Sequence, residues 1–252
     1  MTDQPTGVSR DLHDSHGIPL DQHSDDTPPT ETTTTEKKRS NSMVREVIET
    51  LLLALLIFVA VRAVVLNFRV DGTSMDNSLV DNEMLLVNRN AYFSYDKDKW
   101  FGWMPWVDSE EGELSYPFGI PERGDIVVID PPDSATHPDK PYIKRVIGLP
   151  GETIEIKEEG VYINGTRLEE PYIDGKPSRC SNTSQYCGPL VIPEGQVFVM
   201  GDNRTNSEDS RYFGPEPIGD IIGKAWVTYW PTSEIGVVPH YDYPELNDQA
   251  SN

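Results

Sequence analysis

GDIVVIDPPDSATHPDKPYIKRVIGLPGETIEIKEEGVYING, residues 124–165, is the stretch that decides the fold class. It carries short runs rich in Val, Ile and Tyr (GDIVVID, YIKRVIGL, TIEIK, GVYING), each closed by Gly, Pro, Asn or Asp. Such runs read as strands, and the residues between them read as turns. The same texture continues on both sides, in MLLVNR (84–89), QVFVMGD (196–202) and GKAWVTYW (223–230). No long amphipathic helix is written after Phe68. The expectation is a mostly β, largely antiparallel domain jointed by Gly and Pro.

Ahead of this domain lies VIETLLLALLIFVAVRAVVL, from Val47 to Leu66, unbroken by charge between Leu51 and Val61. About twenty residues of helix at ~1.5 Å each span a hydrocarbon core of ~30 Å. Glu49 lies near one end, and Arg62 lies about one turn from the other, where its long stem reaches the headgroups. Lys37, Lys38, Arg39 and Arg45 precede the run. That placement predicts a cytoplasmic N-terminus and an extracytoplasmic remainder. A cleaved leader would have a shorter n-region and a better small-residue site than Val61-Arg62-Ala63. A soluble core helix would show a polar face. A single transmembrane helix is the expectation.

Residues 1–42 show no apolar periodicity, only Thr, Ser, Asp, Pro and scattered His, and read as a disordered cytoplasmic tail. The chain has 252 residues, with 42 Asp and Glu against 21 Lys and Arg. The net charge of -21 argues against nucleic acid as a partner. Two cysteines are too few for a structural zinc site of four ligands. Cys180 and Cys187 bracket the loop CSNTSQYC. Outside a membrane a disulfide between them is allowed, and spacing and compartment favour it over two separate thiols. The segment from Asn90 to Arg123 is crowded with aromatics, Trp100, Trp103 and Trp106 among them. It fits either a satellite core or the headgroup layer of a bilayer.

Four segments carry chemistry: GTSMDNSL (72–79), RGDIVVI (123–129), YIKRVIGLPGE (142–152) and GDNRTNSEDSRYFG (201–214). A serine that attacks a peptide bond needs a base. Of the five histidines, three lie in the tail, His137 lies in the loop PPDSATHPDK and His240 follows the last strand. None lies in the four segments, so a Ser-His-Asp triad is not expected. A lysine serves if desolvation brings its pKa down from ~10.4 towards neutrality. Lys144 has such surroundings: on a period-two strand it shares a face with Tyr142 and Val146, while Arg145 points the other way.

In this order, just after a single anchor, the four segments closely resemble bacterial type I signal peptidases, membrane-bound serine proteases that remove signal peptides from exported preproteins. GDNRTNSEDSRYFG is the most specific piece, and the resemblance runs from the anchor to roughly Trp230. It implies Ser74 as nucleophile and Lys144 as general base, acting through an acyl-enzyme without metal or organic cofactor. It implies that Ser207 orients the lysine amine and that Asp209 and Arg211 brace the site. The Ser74 N–H and the backbone N–H of Gly72 stand where the family places its oxyanion donors. Met75, Leu79, Tyr142 and Ile143 match the walls of the substrate pockets. The implied partners are preproteins with small-x-small cleavage sites, the lipid bilayer and the protein export machinery. Gly201 and Asn203 suit a tight turn with positive φ.

One departure stands out. The family reads Ser-Met-x-Pro-Thr-Leu where this chain has Ser74-Met75-Asp76-Asn77-Ser78-Leu79. Loss of a proline at Asn77 removes a fixed φ from the turn. That departure motivates an alternative, a non-cleaving relative that assists assembly of exported or pilus subunits. The expected layout is a tail at 1–42, an anchor at 43–66 and a catalytic core at 67–152 containing the aromatic insertion 90–122. A smaller β insertion at 153–194, a second part of the core at 195–240 and an acidic C-terminal tail at 241–252 complete it.

Overall fold

The computed structural model of the protein describes residues 37–97, 99, 114–180, 184–243 and 246. The proposed disordered tail up to residue 36 and the tryptophans at 100, 103 and 106 lie outside the described residues. Helix α1 (Lys37–Val64) is followed by β1 (Val65–Arg69), β2 (Met84–Asn88), β3 (Tyr95–Asp96), β4 (Leu114–Ser115), β5 (Ile126–Ile129) and β6 (Tyr142–Gly148). Then come β7 (Thr153–Lys157), β8 (Gly160–Ile163), β9 (Thr166–Arg167), β10 (Leu190–Val191) and β11 (Gln196–Met200). The chain ends with α2 (Ser210–Phe213), β12 (Glu216–Pro217), β13 (Ile221–Trp230) and β14 (Gly236–Val237).

Helix α1 is apolar all round between Leu51 and Val61, and an 18-residue stretch within Ser42–Val64 has a mean hydropathy of 2.5 with none of it buried by protein. Its 23 residues extend about 35 Å. The helix starts at Lys37, so the last residues assigned to the tail are helical. It stops at Val64 because Val65 and Leu66 already pair with Asn88 and Val87 of β2. The boundary at 66 therefore moves to 64. Among the described residues, those up to Leu51 are helical, and the sheets lie from Leu52 on.

Every recorded strand pair is antiparallel. The main sheet runs β1-β2-β13-β5-β6-β11-β12, with β14 also against β13. A second sheet runs β10-β7-β8-β9, and β3 pairs with β4. The period of two does the sorting. On β5, Ile126 and Val128 enter one core with Met75, Leu79, Leu85 and Val87. Val127 and Ile129 point the other way, into a core with Val146, Val197 and Val199. With both faces covered, β5 reads as a continuous apolar run, as a central strand should. In the second sheet only one face is buried, so Ile154 and Ile156 alternate with Thr153, Glu155 and Lys157.

The stretch from 241 on differs from the expected tail. Tyr243 and Leu246 are buried in the core of the second sheet with Ile163, Leu168 and Phe198. Tyr241 crosses directly over Gly124, where a Cβ would come within 1.7 Å of the Tyr241 carbonyl oxygen. Gly124 is thus required for the C-terminal segment to dock. Three apolar side chains outweigh the local acidity.

Candidate active site

The turn between β1 and β2 holds Ser74, and β6 holds Lys144, which pairs with Val127 of β5. Lys144 Nζ donates to Ser74 Oγ at 3.1 Å and to the Ile143 carbonyl at 3.1 Å. The lysine side chain is buried, with its amine 4.9 Å from the centre of the Tyr142 ring. Burial brings its pKa down to about 8. The carboxylates of Asp209, Glu208 and Asp202 pull upward, and the Arg211 guanidinium pushes down. A lysine near pKa 8 is neutral often enough to accept a proton from a hydroxyl 3 Å away. The neighbouring space is a cleft of about 200 Å³ lined by Ser74, Met75, Tyr142, Ile143, Lys144 and Glu208, among others. It adjoins a wider groove bounded by Phe68, Arg69 and Asp71 on one side and His137 and residues 140–143 on the other.

A serine and a buried lysine at one cleft are the chemistry of a serine hydrolase without histidine. The family described as "Signal peptidase, peptidase S26" matches residues 44–230. The chain belongs to this family. It is 32% identical over 193 residues to the probable signal peptidase I-2 of Synechocystis sp., covering 75% of each chain. It is 33% identical over 197 residues to signal peptidase I of Bacillus licheniformis, covering 75% of this chain and 90% of that one. A solved signal peptidase I from Enterococcus faecalis V583 is 35% identical over 42% of this chain and 97% of its own, with a TM-score of 0.34.

The rest of the site in this signal peptidase family member is a set of buried ion pairs that clamp the serine turn. Arg145 points away from Lys144 and forms a two-pronged pair with Asp202 at 2.9 and 2.8 Å. Its remaining donors go to the Gly124 and Pro239 carbonyls and to Ser78 Oγ in the serine turn, at 2.7, 3.2 and 3.1 Å. Asn203 donates its N–H to the Ser74 carbonyl and its amide to the Thr73 carbonyl, both at 3.0 Å. Asn206 reaches Thr73 Oγ1 at 2.7 Å. Asp209 and Arg211 are paired at 2.8 Å through both oxygens. Burial pushes the Asp209 carboxyl up, but the Arg211 hydrogen bonds and charge, with the Gly201 N–H, hold it below its ordinary value.

Four placements differ from expectation. Leu79 is 1% exposed in the core and does not line the cleft, whereas Met75, Tyr142 and Ile143 do. Ser207 Oγ is buried with no hydrogen-bond partner among the described residues, and the Lys144 amine donates instead to Ser74 Oγ and the Ile143 carbonyl. The Gly72 N–H donates to Asp81 Oδ1 at 2.8 Å and is occupied, leaving the Ser74 N–H, which meets no acceptor among the described residues, as the open donor of the pair. Gly201 and Asn203 do not have positive φ. Gly201 is needed for space, since a Cβ there would lie 2.2 Å from Ser207 Oγ and 2.5 Å from the Ser74 carbonyl oxygen.

The positive φ sits instead at Asn77, at 90°, with its side-chain amide donating to the Tyr172 carbonyl at 3.2 Å. Proline is locked near -65°. The turn has therefore been rebuilt around asparagine, a residue that tolerates this region. Asn77→Pro is expected to lower the cleavage rate about tenfold or more, because the turn carrying Ser74 must shift. Asn77→Gly keeps the conformation and should stay within about threefold of wild type. Steady-state rates of the two variants on one substrate check this; equal rates would refute it.

Sequence reasoning missed Asp202, Asn206, Arg204, Glu170 and Glu208 as parts of the site. Arg204 is buried against Glu170 of the insertion, with an Nη1 to Oε2 distance of 3.0 Å. The dense polar run 201–211 was the available signal; which partner each residue meets depends on the fold. Cys180 and Cys187 are joined in a disulfide with Cα atoms 6.2 Å apart.

Proposed function

We propose that Ser74 is the nucleophile and Lys144 the general base of a membrane-anchored serine endopeptidase that removes signal peptides from preproteins. The observation that carries this assignment is the 3.1 Å contact between a buried lysine amine and the serine hydroxyl at the floor of a cleft. Neutral Lys144 takes the hydroxyl proton as Ser74 Oγ adds to the carbonyl carbon of the bond to be cut. The negative charge that forms on the carbonyl oxygen is met by the Ser74 N–H. Collapse of this intermediate breaks the carbon–nitrogen bond, and the lysine ammonium gives its proton to the leaving amine. An ester on Ser74 remains. Water then attacks it with Lys144 again as base, freeing the signal peptide's carboxylate and restoring the hydroxyl.

The substrate is read as an extended segment in the groove, with small residues before the cut bond, as the narrow cleft favours. We assign the amino-terminal side of α1 to the cytoplasm and the sheets to the outer face, on the strength of the basic residues before the apolar run. Ser74 follows α1 by ten residues, counted from Val64, which keeps the site near the bilayer that still holds a signal peptide's apolar segment. The export machinery is the natural supplier of such substrates.

The test is cleavage of a preprotein bearing an Ala-x-Ala site by the detergent-solubilised full chain beside Ser74→Ala. Wild type should cut after the second alanine and the variant should be silent. A wild type that leaves several such preproteins intact in lipid would overturn the assignment and favour a non-cleaving assembly role.

A further inference from the structure

Glu208 lies between Ser207 and Asp209 and belongs to none of the bracing pairs described above. Both of its carboxylate oxygens are nonetheless engaged. Oε1 accepts from the Thr136 N–H and from Thr136 Oγ1, each at 2.9 Å, and Oε2 accepts from the Tyr142 hydroxyl at 3.1 Å. The Tyr142 oxygen in turn accepts from the His137 N–H at 3.2 Å. One carboxylate thus gathers the loop between β5 and β6 and the first residue of β6. The segment carrying Glu208 is itself pinned, because Arg211 reaches the Ser207 carbonyl at 3.4 Å and Asp209 is held on both oxygens. The gathered residues Glu208, His137 and Tyr142 line the same cleft as Ser74 and Lys144. Tyr142 also presents its ring face to the lysine amine.

We propose that Glu208 is a specificity-determining positioning residue: by tying the 131–141 loop and the Tyr142 phenol together, it makes one cleft wall rigid and so restricts the substrate side chain beside the cut bond to a small one. This rests on the peptidase reading of Ser74 and Lys144. Hydrogen bonds to an ionised carboxylate are stronger than neutral ones. Three of them on one group oppose both rotation of the Tyr142 ring and outward movement of an otherwise solvent-facing loop. Without them the wall yields, and a larger side chain enters. Pocket selectivity between small apolar side chains is modest even in a rigid site, so a yielding wall changes it measurably.

The experiment compares two preproteins that differ only in having Ala or Leu before the cut bond, with kcat and KM measured for the full chain in detergent. Glu208→Ala should lower the Ala-over-Leu preference in kcat/KM about tenfold, mainly through a lower KM for the Leu substrate. Glu208→Gln should restore the preference, because its amide oxygen still accepts from Thr136 and its NH₂ reaches the Tyr142 oxygen. Tyr142→Phe cuts the same tie without touching Glu208 and should move the preference the same way, which keeps the test open should Glu208→Ala fail to fold. A preference unchanged in both Glu208→Ala and Tyr142→Phe would overturn the inference, as would a Gln variant no different from Ala. If wild type cuts neither substrate, the peptidase reading fails and takes this inference with it. If wild type cuts and only the preference stands still, the Glu208 inference alone fails.

Discussion

Lys144→Ala is expected to reduce kcat by about 10⁴-fold, roughly 5 kcal/mol of barrier, with little change in KM. The lysine is buried beneath the substrate cleft, so its loss removes the proton acceptor while leaving the binding walls in place. Lys144→Arg should be equally silent, since a guanidinium keeps its proton at every accessible pH. Wild-type activity should follow the ionisation of the same amine. Burial lowers its pKa to about 8, so the neutral form, and with it kcat/KM, rises with pH through that value and flattens above it. Two units below, the rate should be about one hundredth of the plateau. The measurement is a pH–rate profile on one preprotein beside single-turnover rates of the two variants. A profile flat from pH 5 to 9, or an arginine variant with more than a few per cent of wild-type rate, would refute the lysine base.

Asp202→Ala should produce the largest loss of stability, about 3–5 kcal/mol. Arg145 and Asp202 are both completely buried and joined by two hydrogen bonds. Removing the carboxylate leaves a guanidinium without its counter-charge inside the protein, a desolvation cost that its hydrogen bonds to two carbonyls and Ser78 offset only in part. The damage should spread to the site, because the same guanidinium holds Ser78 of the serine turn. Asp202→Asn keeps one acceptor and should cost less. A double variant, Asp202→Leu with Arg145→Met, should be more stable than Asp202→Ala, since it removes both charges together. Loss of activity after graded heating and resistance to added protease order the four proteins. Asp202→Ala as heat-resistant as wild type would contradict the argument.

The sequence made the strands legible because burial and pleat share a period of two. Runs such as IVVI and QVFVM could be placed without knowing their neighbours. Lys144 was legible for the same reason, being a charge set inside an apolar strand. The neighbours themselves were not legible. Nothing local tells that β13 joins β2 to β5, or that Asn203 caps the serine turn from 130 residues away. Leu79 and Met75 share one turn and one motif, yet one fills the core and the other also borders the cleft, a distinction set by packing. Ser207 illustrates the same limit: its place in the polar motif was visible, but whether its hydroxyl meets a partner is decided by packing, and it meets none among the described residues. Tyr243 and Leu246 were hidden among acids and prolines, since two apolar residues make no periodic pattern.

The second sheet looks like a module that could be trimmed to make a smaller enzyme, since it is inserted between two parts of the main sheet. The side chains that cross between them argue otherwise. Arg204 finds its carboxylate on Glu170, Arg211 Nη1 donates to the Arg179 carbonyl at 2.9 Å, and Asn77 is held by the Tyr172 carbonyl. Cutting the insert out would leave Arg204 without its carboxylate and take one carbonyl acceptor from Arg211, directly behind the serine turn. A miniaturised version therefore has to supply a new counter-charge for Arg204 and a new acceptor for Arg211, which must stay to balance Asp209, before any shortening of the chain is attempted.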